Sequence, residues 1–380
     1  NLGSARLSPR HAAGAVARIG QLEAELLASQ ERPIVLVPAL PGSGLAVEVA
    51  PGLDQVGLLL PSTPLHRLLL AGAGRPLVMT SGNLAEEPIV IGNEEAKRRL
   101  GRIADGFLMH DREILSRADD SVLRFAAGRP LFLRRARGYA PLPLSLPVPS
   151  PAPLLAVGPH LKNTFTAAHG GTAWMSPHIG DLESLESVEH FRATCEVYRR
   201  LFRIEPAMVA HDLHPGYLST RLAGELGLPL IAVQHHHAHL AAVMGEHGET
   251  GPVIGVAFDG TGYGADGCIW GAEFLAADLT GYRRLAHLRY VPLPGGDLAA
   301  RRPWRVALGY TALDRSARRS LASAFAGVPP AELALAERQL EAGVNAPMAS
   351  SMGRLFDAAA AIIGVRRVSH YEGQAAMELE

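Results

Sequence analysis

The chain has two cysteines in 380 residues, Cys195 and Cys268, too few and too far apart for a disulfide framework or a cysteine zinc site. That usage suits a reducing cytoplasm. No stretch approaches the roughly 18 consecutive apolar residues of a membrane helix, and the first residues lack the cationic-then-apolar pattern of an export signal. We therefore expect a cytoplasmic protein with no membrane partner. Excess charge is missing too: 36 Lys and Arg stand against 37 Asp and Glu, a formal net charge of -1. Such balance gives no broad footprint for a polyanion and argues against nucleic acid as a partner. No Gly-x-Ser-x-Gly elbow occurs and neither cysteine has a histidine in a recognisable frame, so nucleophile triads are unsupported. The stretch Asp259-Gly260-Thr261-Gly262 matches no Walker or dinucleotide fingerprint either.

What is present begins with length. A chain of 380 residues, 48% hydrophobic and 19% charged, exceeds what one core usually serves, and two domains are expected. Repeated proline over 141–153 withholds backbone donors and predicts an extended tether, dividing the chain into 1–145 and 154–380. Before it, apolar runs at 33–37 and 76–79 alternate with helical stretches such as 93–100, which predicts an α/β domain. After it, strands are expected at 154–157, 165–168 and 172–175, then a helix over about 184–202 with Cys195 packed as a small core residue. Apolar strands at 207–210, 230–233 and 253–258 then lead into Asp212, the histidine run and Asp259. In open α/β sheets ligands sit beyond the carboxyl ends of strands, so these ends are expected to converge. Both ends look cut, since no initiator Met is present and the last residues read as the middle of a helix.

The run Val-Gln-His-His-His-Ala-His at 233–239 places His235 and His239 four apart at the start of a helix. Residues at i and i+4 share one face at bite distance for one metal ion. Asp259 adds a carboxylate oxygen, and imidazole with carboxylate suits iron, zinc or manganese. His236 and His237 point elsewhere on the helix, towards substrate or supporting contacts. Asp259-Gly260-Thr261-Gly262 reads either as a phosphate loop, its glycines opening backbone N–H groups to an anion, or as the turn of a plain hairpin. Asp212 and His214, two apart on an extended segment, either orient a nucleotide or belong to a plain turn of the chain at Pro215-Gly216. Lys162 follows the first strand of the second domain and reads either as a cation that neutralises a phosphate or as a surface lysine. In the first domain Thr80-Ser81-Gly82-Asn83 offers a small polar loop for a polyanion, with Arg117 and the 134–137 cluster as cations; a solvated charge run is the plainer reading of that cluster.

Taken in order, these motifs resemble one family. Residues 60–66, 79–88, 110–114, 117–121 and 133–141 look like the back portion of a YrdC-like domain. Residues 212–217, 233–239, 258–264, 350–357 and 371–374 look like a threonylcarbamoyl-transferase-type domain of the actin-like ATPase (ribonuclease H-like) superfamily. The combination is similar to the hydrogenase-maturation carbamoyltransferase HypF family. The resemblance implies that ATP and carbamoyl phosphate-derived carbamate form carbamoyl adenylate in the YrdC-like domain. A second domain holding a divalent metal (Fe, Zn or Mn/Mg) then passes the carbamoyl group to the C-terminal cysteine of a HypE-like acceptor. It further implies metal or carbamoyl contacts for His235, His239 and Asp259. Adenylate surroundings would include Lys162, Asp212, His214, Ser350, Ser351 and Gly353, and a nucleotide side Thr80, Ser81, Asn83, Arg117 and Arg137.

The family begins with an acylphosphatase-like domain and paired cysteine zinc fingers, and places a further metal-binding aspartate beyond residue 380. We expect this chain to be unable to use carbamoyl phosphate by itself. Two other readings share both domain types: an O-carbamoyltransferase of antibiotic biosynthesis, and a factor related to tRNA threonylcarbamoylation.

Overall fold

The computed structural model describes residues 13–84, 87–314, 316, 319 and 321–380. Its chain falls into two units, residues 1–211 with 216–231, and residues 212–215 with 232–380.

In the first unit, strands β1 (Ile34–Pro38), β2 (Gln55–Leu58), β3 (Val122–Ala126) and β4 (Arg129–Arg134) form a sheet of order β2-β1-β3-β4. β1 pairs antiparallel with β2 and parallel with β3. Alternate residues of a strand face opposite sides, and here Val35, Val37, Val56 and Leu58 turn into one core with Ala13, Val16 and Leu27. Residues 76–79, expected as a strand, form none, and Val78 is 76% exposed. A strand is stable only when it joins a ladder, and none of the sheets among the described residues includes this run.

A second sheet has the order β6-β5-β7-β8, built from β5 (Leu144–Ala156), β6 (Thr166–Met175), β7 (Met208–Asp212) and β8 (Leu230–Val233). The proline-rich stretch is therefore extended, as expected, but it is a strand and not a free tether. β5 and β6 pair at Leu144, Ser145, Ser150 and Leu154 to Ala156, with register shifts between these points. The shifts fall where Pro147, Pro149, Pro151 and Pro153 stand, since proline supplies no ladder donor. The two short strands expected between 165 and 175 are one, running through Gly170 and Gly171. The helix expected over 184–202 is Leu185–Phe202, capped by the Ser184 hydroxyl accepting from Ser187 N. Cys195 lies against its core, where burial pushes the thiol pKa far up and leaves it a packing residue.

The second unit centres on the antiparallel pair β9 (Val253–Tyr263) and β10 (Ile269–Ala277). Its sheet runs β11-β10-β13-β12, with β9 also on β10; β11 is Tyr282–His287, β12 Val291–Pro292 and β13 Met348–Ala349. The histidine helix, His235–His247, packs Leu240 against Ala257, Leu275 and Ala277 of β9 and β10. A larger core gathers the helices Pro303–Tyr310 and Met352–Ile363 around Trp304, Leu308, Ala358 and Ala361. Among the described residues no helix is long and apolar enough to cross a membrane.

The expected loop at Asp259 is corrected by this unit. β9 does not end there but continues to Tyr263, and the turn follows at 264–267, where Gly264 N donates to Cys268 O. The register jumps from Phe258 opposite Ala272 to Gly262 opposite Trp270. Residues 259–261 thus bulge out opposite Gly271 alone. A bulge re-aims side chains, which is how a mid-strand aspartate comes to face the histidine helix.

Candidate metal centre

Helical spacing sets His235 and His239 on one face, and their Nε2 atoms are 3.2 Å apart. Asp259 reaches the same point from the bulge of β9, its Oδ2 lying 3.1 Å from His235 Nε2 and 3.7 Å from His239 Nε2. One ligand atom from each of the three residues lies within 4.8 Å of the others. An ion held at about 2.0–2.2 Å by nitrogen and oxygen needs donors about 3 Å apart, which the two imidazoles already satisfy.

Sequence builds this arrangement locally. Leu213 N donates to Val233 O at 2.9 Å, keeping the ends of β7 and β8 side by side. Asp212, the last residue of β7, consequently meets His235, the first residue of the helix after β8. Its Oδ2 is 2.7 Å from His235 Nδ1, while its Oδ1 accepts from His214 N at 2.8 Å. Gln234 caps the helix by accepting from His237 N. Gly262 lets β9 run against the rings: a Cβ there would stand 2.5 Å from His236 Cε1 and 2.8 Å from His235 Cδ2.

The electrostatics favour a cation. Burial alone lowers the His235 pKa, but the hydrogen bond to Asp212 and the nearby negative charges of Asp212 and Asp259 outweigh it and push it up to about 9. Burial raises Asp259, yet His235 and His239 hold its carboxyl well below the usual carboxylate range. Charges that stabilise a proton between these groups stabilise a metal ion in the same place. The donor set also fits. With its Nδ1–H directed at Asp212, His235 would offer the Nε2 lone pair to a bound ion, the arrangement in which a carboxylate behind a ligating histidine fixes its tautomer. Asp259 Oδ1 accepts from Gly260 N at 2.6 Å, whereas its buried Oδ2, though close to His235, has no aligned hydrogen-bond donor among the described residues. Two nitrogens and an open carboxylate oxygen suit a divalent zinc, iron or manganese ion.

Several other expected residues surround this centre. Ser351 caps the Met352–Ile363 helix and donates to Gly260 O at 2.6 Å, tying that helix to the bulge. Gly353 lies against the same strand, since a Cβ there would come 2.9 Å from Gly260 Cα. His214 packs edge-on to Tyr263 with ring centroids 5.0 Å apart. Ser350 is directed differently: its hydroxyl donates to Glu273 Oε1 at 2.6 Å in the interior.

In the first unit the expected residues make contacts of their own. The Ser81 hydroxyl donates to Asn83 Oδ1, and Asn83 Nδ2 donates to Leu84 O and Glu87 O. Thr80 in the same loop is exposed. Arg117 Nε donates to Ile89 O at 2.7 Å. Arg137 gives Nε and Nη2 to Asp120 Oδ1, with Nη1 and Nη2 also donating to Glu31 O and Arg32 O. Lys162 takes a left-handed φ of 48° and its backbone N–H donates to Asp181 Oδ1 at 2.6 Å.

Sequence reasoning missed the support beneath the bulge. Fully buried Glu273 accepts from Gly271 N, Ser350 Oγ and Arg284 Nε, and the Arg284 guanidinium lies 3.8 Å over the Trp270 ring. An acidic residue in the otherwise apolar run 269–277 was the available signal, because a carboxylate there must be paired if it is buried.

Family profiles cover nearly the whole chain. The HypF Kae1-like domain matches residues 149–246, and the second subdomain of the carbamoyltransferase Kae1-like domain matches 255–380. A Sua5–YciO–YrdC profile, described as telomere recombination, matches residues 8–136. The carbamoyltransferase HypF2 of Cupriavidus necator is 48% identical over 95% of this chain and 47% of its own length. This chain belongs to the HypF family. The HypF of Rhizobium leguminosarum bv. viciae is 44% identical over 97% of this chain and 49% of that protein. Among solved structures, full-length HypF in its phosphate- and nucleotide-bound form superposes with a TM-score of 0.91 at 47% identity, covering 97% of this chain and 58% of the other. The chain spans about half the length of the curated HypF relatives it matches. As expected from the motifs, the fold is mixed α/β with YrdC-like and Kae1-like parts.

Proposed function

We propose that this chain carries the carbamoyl-adenylate-forming and carbamoyl-transfer parts of an ATP-dependent, cytoplasmic HypF-type carbamoyltransferase that serves [NiFe]-hydrogenase maturation. In this reading residues 1–145 are the YrdC-like part, joining carbamate derived from carbamoyl phosphate to ATP. Thr80, Ser81, Asn83 and Arg117 lie on its nucleotide side, and Arg137 braces it through Asp120. Residues 154–380 form the transfer part, which hands the carbamoyl group to the C-terminal cysteine thiolate of a HypE-like acceptor.

The observation that carries this reading is the cluster of His235, His239 and Asp259 with Asp212 behind His235. These are the residues that would hold a divalent cation, and when bound such an ion supplies Lewis-acid stabilisation of charge at the carbamoyl oxygen. The protein's own part is to prepare the pocket. Asp212 keeps the His235 proton on Nδ1, the Asp259 bulge sets a carboxylate opposite both imidazoles, and Ser351 ties that bulge to the Met352–Ile363 helix. Lys162, Asp212, His214, Gly260, Ser350, Ser351 and Gly353 are assigned to the adenylate surroundings, Ser350 acting through Glu273.

The test is transfer of a radiolabelled carbamoyl group to an acceptor ending in cysteine, with carbamoyl adenylate supplied and Zn2+ or Fe2+ added. Label on that cysteine with the 380-residue chain, lost in the His235→Ala, His239→Ala double variant, is the expected result. No label with the unaltered chain, or equal label with both, would reject the reading.

A further inference from the structure

Gln234 determines where the proton sits on His236. The Gln234 Oε1 accepts from the backbone N–H of His237 at 2.9 Å, so the other end of this amide is its donor end. That Nε2 lies 3.1 Å from Tyr263 O and 3.2 Å from His236 Nδ1. An amide nitrogen has two N–H groups and no lone pair to give, so Nδ1 of His236 has to be the acceptor. An N–H on Nδ1 would meet the Gln234 N–H head-on. The imidazole is therefore neutral, with its proton on Nε2.

This Nε2 has a destination. His236 is fully buried, its Nε2 has no hydrogen-bond partner among the described residues, and it faces Asp259 Oδ2 across 3.7 Å. Asp259 Oδ2 is likewise buried and lacks an aligned donor. A donor and an acceptor, both withdrawn from water and facing one another, are costly until they join, and a shift of about 0.7 Å brings them to normal hydrogen-bond length. Oδ1 of the same carboxylate is already held by Gly260 N. Gly262 leaves the room that brings His236 this close to β9.

We propose that His236 is a positioning residue and not a ligand: its Nε2–H is donated to Asp259 Oδ2 and holds that carboxylate towards His235 and His239. The consequence for metal binding rests on the metal reading above, whereas the tautomer does not depend on it. The histidine run then divides its labour by proton position. With an ion bound, His235 would keep its proton on Nδ1 and give Nε2 as a lone pair; His236 carries its proton on Nε2 and turns that group outward as a donor.

Two measurements on the 380-residue chain decide it. Ring-nitrogen NMR of isotope-labelled histidine, in metal-free protein and assigned by difference against His236→Gln, is expected to give His236 as the Nε2–H tautomer. Titration with Zn2+ is expected to place His236→Gln, which keeps an N–H at the corresponding position, within about threefold of the unaltered chain. His236→Leu, which keeps none, is expected to bind at least about tenfold more weakly, the range for loss of a supporting hydrogen bond to a ligand. An Nδ1–H tautomer overturns the proposal, as does equal weakening of both variants, the pattern of a lost ligand. If His236→Leu fails to melt cooperatively, the tautomer and the His236→Gln affinity decide. Should the unaltered chain take up no Zn2+, the metal reading fails, and the NMR result alone decides the role of His236.

Discussion

The Asp212 carboxylate stands 2.7 Å from Nδ1 of His235, one residue closing a strand and the other opening the helix beyond the neighbouring strand. Supporting carboxylates of this kind orient the imidazole and raise its basicity. Asp212→Ala is expected to weaken Zn2+ binding by about 10–100-fold while leaving the fold in place, which isothermal titration and a circular dichroism spectrum will check. Unchanged affinity would mean that His235 is held by something else.

Gly262→Ala tests the close approach of strand and rings. Its Cβ would lie 2.5 Å from His236 Cε1 and 2.8 Å from His235 Cδ2, so the rings must shift. Overpacking of this sort costs about 1–3 kcal/mol. Denaturant unfolding should report that loss, together with at least about tenfold weaker Zn2+ binding.

His190 makes the first unit sensitive to acid. Only 4% exposed, with Thr194 Oγ1 3.2 Å from its Nδ1, it is lowered to about 4, first by burial, then by the positive charge of Arg117 and the proximity of a second histidine, His178. His178 is lowered to about 4 as well, burial again leading. A histidine with a depressed pKa contributes stability that is present above its ordinary value of 6.5 and lost as the pH falls towards 4. Between those limits the Tm of the unaltered chain should fall more steeply than that of His190→Gln, by on the order of a few °C. Parallel curves in differential scanning calorimetry would refute this.

Glu273 tests the support beneath the bulge. Removing one partner of a buried ion pair costs about 3–5 kcal/mol. Glu273→Ala takes from Arg284 its buried carboxylate, leaving it Asp266 and Tyr290, and removes the acceptor for Ser350 Oγ and Gly271 N. Urea unfolding of the second unit should show a loss of that size, whereas Ser350→Ala should cost about 1–2 kcal/mol.

Local patterns carried the sequence reading furthest. The i, i+4 spacing of His235 and His239, the strand before each and the Ser184 cap all depend on neighbours in the chain, and the structure places them as the spacing implies. Long-range pairing was hidden. Nothing in the glycines after Asp259 says that the strand continues through a bulge, because the register is set by β10. The run at 76–79 has strand composition without a strand to join, and the prolines over 141–153 read as a tether until β6 appears beside them. The position of Asp212 at a strand end suggests a nucleotide contact; its contact with His235 depends on how β7 and β8 lie side by side.

The proline spacing in β5 has one more effect. Pro147, Pro149, Pro151 and Pro153 take four backbone donors out of this strand. Pairing with β6 survives between them at Ser150. A stray strand from another chain would find those donors missing, and the longest strand among the described residues is thereby guarded against edge-to-edge association.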